Sequence, residues 1–202
     1  MKHLTDLYRA FLSRTAVISD CFMRAQGNQC EPYAQEMCII RLYDLWDRFC
    51  RELILLSAYA EPISIRGNRI PRIAGVRTRN DVLSRLRGIQ RYSNRPLYLI
   101  TWGDPTVSIY IGQKLGVSNF QNISSALGAT PSPLQDLRAV RNYLAHRNEK
   151  TAQEVHKIAV ANGLGATHDA LFILHSLRTP GVCLFELWVI QIRIMARNAV
   201  DY

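Results

Sequence analysis

Between Leu137 and Asn148 the chain reads Leu137-Arg138-Ala139-Val140-Arg141-Asn142-Tyr143-Leu144-Ala145-His146-Arg147-Asn148, and polar residues interrupt an otherwise amphipathic pattern. Asn142 and His146 are four apart and share one helical face, Arg138 lies one turn before Asn142, and Arg141 stands on the flank with a long arm. An imidazole, an amide and two guanidiniums therefore cluster on one short surface. Metal-free RNA cleavage needs such a set: a base for the 2′-hydroxyl proton, an acid for the leaving 5′-oxygen, and cationic donors for the crowded phosphorane. His146 can serve the proton steps because an imidazole titrates near neutral pH. Arg141 can stabilise the developing charge, and Asn142 can hold a tautomer or a phosphate oxygen. One helix supplies one histidine; two copies meeting across a two-fold axis would supply both a base and an acid. The same spacing also allows a plainer role, with His146 as the cation at a helix C-terminus and Arg141 paired to a surface acid.

The elements that must position these residues follow from caps and periodicity. Ser132-Pro133-Leu134-Gln135 places a capping hydroxyl, a proline at the first helical position and a glutamine at the third, so a helix is expected from there to about Asn148. Thr151-Ala152-Gln153-Glu154 repeats the capping pattern and opens a helix ending near Gly163. Upstream, residues 3 to 25 carry Leu4, Leu7, Phe11 and Phe22 at helical steps, and after Pro32 a broad stripe that includes Ile39, Leu42, Trp46, Phe49 and Leu53 predicts a long helix to about Ala60. Asp44, Asp47 and Glu52 on that helix are either its solvated side or groups that orient Arg141 and His146.

From Glu61 to Arg77 a loop with a short hairpin around Gly67 and Asn68 is expected, then a helix opened by Thr78 and running to about Arg91. Residues 92 to 131 read as a candidate strand at Tyr98 to Trp102 and short helices from Asp104-Pro105 and near Asn122, stopped by Gly116 and Gly128. Two final helices are expected, from about Asp169 to Leu177 and from Pro180 to Asn198. The expected architecture is one all-α domain over residues 1–202, a helical bundle of four to five core helices with a long Arg-rich irregular excursion at about 61–131.

A length of 202 residues suits one core, and 48% hydrophobic with 20% charged residues excludes a disordered chain. The most apolar run, Val182 to Met195, is broken by Glu186 and Arg193, and Met1 to Phe11 lacks the continuous apolar core of a secretory signal, so a cytoplasmic protein that does not cross the membrane is expected. Five cysteines, Cys21, Cys30, Cys38, Cys50 and Cys183, form no C-x-x-C pair and are expected as small buried hydrophobes. His156, His168 and His175 lack metal-ligand spacing, and Gly163-Leu164-Gly165 lacks the third glycine of a dinucleotide loop, so neither metal nor cofactor is expected. The net charge of +9 is concentrated: residues 66–95 hold nine arginines against the single acid Asp81, a local +8. Such a block suits RNA, because each neutralised phosphate releases counterions and Arg grips phosphate with two donors. Arg85, Arg87 and Arg91 there, with Arg138 and Arg147 beside the motif, are the expected RNA contacts.

Arg141-Asn142-Tyr143-Leu144-Ala145-His146 resembles the signature of the HEPN superfamily, an Arg, usually a polar residue after it, and a His after four to six intervening residues. The phrase Asp136 to Asn148, together with Arg41-Leu42-Tyr43-Asp44-Leu45-Trp46-Asp47-Arg48-Phe49, is similar to the bacterial HEPN nuclease branch related to RiboL-PSP and MAE-type proteins. The motif covers about a dozen residues, and the helix pattern extends the likeness over most of the chain. The resemblance implies a dimer that places two motifs in one cleft, and metal-independent endoribonuclease activity with Arg141, Asn142 and His146 catalytic. It also implies a toxin or phage-defence effector, with an antitoxin or defence-system partner. In the branch silenced by a nucleotidyltransferase a tyrosine usually lies two residues after the His; Asn148 stands there, which weighs against adenylylation. The alternative is a non-catalytic HEPN dimerisation or RNA-binding module that docks a defence partner.

Overall fold

A computed structural model describes residues 3–25, 31–89, 99–129 and 131–202. It is all-α: the described residues form nine helices and one two-stranded sheet. The chain divides into two compact units, one made of Met1–Leu12, Trp46–Pro131 and Ile194–Tyr202, the other of Ser13–Leu45 and Ser132–Arg193.

The first unit takes the start of α1 (Leu4–Arg24), the second half of α2 (Glu31–Tyr59), α3 (Arg79–Arg87), α4 (Pro105–Leu115), α5 (Phe120–Gly128) and the end of α9 (Leu184–Val200). Phe11, Trp46 and Phe49 form its aromatic centre, with ring centroids 4.8 Å apart for Phe11 and Phe49 and 5.6 Å for Trp46 and Phe49. Trp46, Leu53, Ile70, Val82, Leu86, Ile111 and Ile123 are fully buried, and each such side chain contributes about 1.5–3 kcal/mol of transfer free energy.

The expected hairpin after α2 is present: Ile70 N–H donates to Pro62 O at 2.9 Å and Ser64 N–H to Asn68 O at 2.9 Å, around Gly67 at φ +85. Thr78 caps α3 as expected, in a reciprocal pair with Asp81. The helix stops at Arg87, short of the expected Arg91, which lies outside the described residues. Residues 99–102 form no strand; Trp46 Nε1 donates to Gly103 O at 3.0 Å and Gly103 N–H to Asp47 Oδ1 at 2.7 Å, so this stretch is tied to α2 rather than to a sheet. Tyr98, the start of the expected strand, lies outside the described residues. Asp104 caps α4 with Pro105 behind it, and Gly116 ends it in the left-handed conformation, as the sequence predicts.

The second unit holds the rest of α1, α2 and α9 with α6 (Pro131–His146), α7 (Glu149–Ala161), α8 (Ala170–His175) and the hairpin of β1 (Leu177–Thr179) with β2 (Val182–Cys183). Phe22 stacks on Phe185 at 3.9 Å and on His175 at 4.9 Å. Arg193 Nε donates to Thr15 Oγ1 at 2.8 Å, and Gln35 Nε2 to Phe22 O at 3.1 Å.

Three boundaries here differ from expectation. α6 begins at Pro131, so Ser132 lies within the helix instead of capping it. α7 is capped by Asn148, with Thr151 at the third helical position rather than at the cap. The segment from Pro180 is a hairpin turn with Gly181 at φ +81, and α9 starts only at Leu184. Cys38, Cys50 and Cys183 are buried as expected, and burial pushes their thiols above the usual range, Cys50 well above it. Cys21 is exposed, against expectation, and Cys30 lies outside the described residues. Among the described residues no helix is long and apolar enough to cross a membrane.

Candidate functional site

α6 buries Leu134, Leu137 and Val140, at steps of three residues, and this fixes the helix's rotation. The face turned away from them carries Arg138, Asn142 and His146 one turn apart each. Arg147 then ends the helix: its φ is +41 and its N–H donates to Tyr143 O at 2.7 Å. Asn148 Oδ1 accepts from Thr151 N–H at 3.0 Å while Thr151 Oγ1 accepts from Asn148 N–H at 3.2 Å, so α7 starts two residues after α6 ends. A cleft of ≈ 460 Å³ is lined by residues of both helices. Arg138, Asn142 and His146 line its α6 wall; Asn148, Lys150, Thr151 and Glu154 line its α7 wall.

His146 is exposed and makes no side-chain hydrogen bond among the described residues. Arg141 is half-buried and is not one of the lining residues, but its Nη1 donates to Asn142 Oδ1 over a long 3.4 Å. Among the described residues its buried Nε has no acceptor. A buried guanidinium donor without a partner costs free energy that an incoming anion would recover. Glu154 is held by Lys157 at 2.8 Å, whereas Lys150 makes no ion pair among the described residues.

Of the residues expected from sequence, Arg138, Asn142 and His146 meet in this cleft and Arg141 joins it through Asn142. Arg147 is engaged elsewhere, its Nη2 2.5 Å from Glu36 Oε1 on α2. The sequence pointed to no α7 residue as part of the site; its one signal was the capping pattern at Thr151-Ala152-Gln153-Glu154, which opens a helix soon after His146.

The arginine block lies in the other unit, and folding brings it more acids than the one visible in the linear sequence. Arg66 holds Asp201 with two bonds of 2.7 and 3.0 Å, Arg69 and Arg72 share Glu61, and Arg79 grips Glu52 at 3.0 and 3.2 Å. The hydrogen bond from Arg66 holds Asp201 below the usual carboxylate range. Arg85 Nη2 donates to Ala74 O at 2.6 Å, and Arg87 is exposed without an ion pair among the described residues. Glu52 and Asp47 are thus occupied within their own unit by Arg79 and Gly103 N–H. Among the described residues no three His, Cys, Asp or Glu converge as metal ligands; His156 and His168 form a pair with ring centroids 5.2 Å apart. No family model, curated protein or solved structure matches this chain.

Proposed function

We propose that the chain is a metal-independent endoribonuclease of the HEPN type, a cytoplasmic toxin or phage-defence effector that acts as a homodimer. The observation that carries this reading is the cleft between α6 and α7, where the imidazole of His146, the amide of Asn142 and the guanidinium of Arg138 open on one space, with Arg141 bonded to Asn142.

In the proposed reaction a base removes the 2′-hydroxyl proton, the 2′-oxygen bonds to phosphorus, and the P–O5′ bond breaks. The leaving 5′-oxygen takes a proton, so the products are a 2′,3′-cyclic phosphate and a 5′-hydroxyl. His146 performs one proton transfer, the second copy's motif the other, and Arg141 balances charge on the phosphorane. Asn142 Oδ1 orients the Arg141 guanidinium from the next position. The test is incubation of purified protein with total RNA with and without EDTA, beside His146→Ala. Cutting in EDTA that the variant lacks supports the reading; equal cutting by the variant ends it. The second reading, an RNA-binding or dimerisation module docking an antitoxin or defence partner, predicts RNA retention without cleavage.

A further inference from the structure

The α7 wall of the cleft places a cation opposite the motif, and the other polar groups of that wall are engaged with each other or with α7. Asn148 and Thr151 spend their side chains on each other's backbone N–H groups, and Glu154 is neutralised by Lys157 at 2.8 Å. Lys150 is left as the one charged group of that wall without an ion pair or hydrogen bond among the described residues, and it faces the space that His146 and Asn142 face. The left-handed Arg147, bonded to Glu36, and the Asn148–Thr151 cap set how α7 leaves α6.

We propose that Lys150 holds a non-bridging oxygen of the RNA phosphodiester in this cleft, as a further phosphate-binding residue across from His146. This rests on the ribonuclease reading. An ammonium near the phosphate favours the doubly charged phosphorane more than the singly charged ground state, so it contributes to rate as well as to binding. Because Lys150 is a point charge on a flexible stem, an arginine can substitute for its charge while altering its reach.

The experiment compares wild type, Lys150→Met, Lys150→Arg and, as a control in the other unit, Lys114→Met on a short mixed-sequence single-stranded RNA, reading cleavage in EDTA, binding against salt, and thermal unfolding. Lys150→Met is expected to lower kcat/KM about ten- to hundredfold and to reduce the log–log salt slope of binding by about 0.7, the increment for one phosphate contact on a single strand. Lys150→Arg is expected to restore the slope and part of the rate, and Lys114→Met to change neither. Unfolding is expected to be the same in wild type and both Lys150 variants, since Lys150 is exposed and makes no ion pair or hydrogen bond among the described residues. Wild-type slope and rate in Lys150→Met, or an equal loss in Lys114→Met, overturns the assignment. A wild type that binds RNA but does not cut it sinks the ribonuclease reading alone, because the salt slope still decides Lys150; a wild type that does neither overturns both.

Discussion

His146 and Arg141 differ in what surrounds them, and that difference predicts different behaviour. His146 is exposed and makes no side-chain hydrogen bond among the described residues, so His146→Ala is expected to leave the unfolding temperature unchanged while lowering cleavage by at least about a hundredfold, the scale of one proton-transfer group. Arg141 is half-buried with Nε unsatisfied, so removing its head group also removes a buried donor. Arg141→Met is therefore expected to abolish cleavage and to match or slightly raise stability, a pairing visible in parallel activity and urea titrations. Lost stability without lost cleavage would make Arg141 a structural residue. Arg141→Lys is expected to be nearly as inactive as Arg141→Met, since one ammonium cannot reproduce the planar fork.

At the scale of elements, caps decide where helices start, and two of them lead to measurements. Asn148 caps α7, and Asn148→Ala is expected to cost about 1 kcal/mol in urea unfolding and, by loosening the α6–α7 link, to lower cleavage as well. Asp81 caps α3, and the backbone N–H groups of Arg77 and Thr78 hold its carboxyl below the usual range. A depressed carboxyl stabilises the fold fully above its unfolded value near ~4, and that contribution disappears as pH falls through the lower folded value. Hydrogen-exchange protection of α3 is thus expected to fall on acidification below about pH 4, and Asp81→Asn to flatten that fall. An unchanged profile in the variant would mean that the cap does not govern this helix.

For the whole molecule, the central expectation is composite catalysis by two copies. In heterodimers of wild type with His146→Ala every shared cleft lacks one imidazole, so mixing is expected to cost far more than half of the activity. A decline strictly linear in the wild-type fraction would show that each chain cuts alone. The +9 charge is expected to make RNA binding strongly salt-dependent. Replacing Arg85 and Arg87 with Gln is expected to weaken binding and flatten that dependence, with Arg87 contributing more because Arg85 already donates to Ala74 O. An unchanged slope would mark the block as a salt-bridged surface.

By itself the sequence determined the all-α class, the run of helices, the caps at Thr78 and Asp104, the left-handed stop at Gly116, and the shared face of Arg138, Asn142 and His146. These are local: caps act over three or four residues and faces repeat every 3.6, so composition and spacing carry them. What required the tertiary structure were events between distant residues. Over residues 99–102 the expected strand gives way to the bonds that Trp46 and Asp47 make with Gly103, and the first residues of the helix expected from Pro180 form a hairpin, so that α9 starts at Leu184. The arginine block met Glu52, Glu61 and Asp201, and Arg147 met Glu36, because side chains far apart in sequence become neighbours only when their helices pack. Lys150 joined His146 for the same reason in miniature: no periodicity announces it, and only the link through Arg147 and Asn148 sets how α7 starts and brings its first turn to the same cleft as the motif.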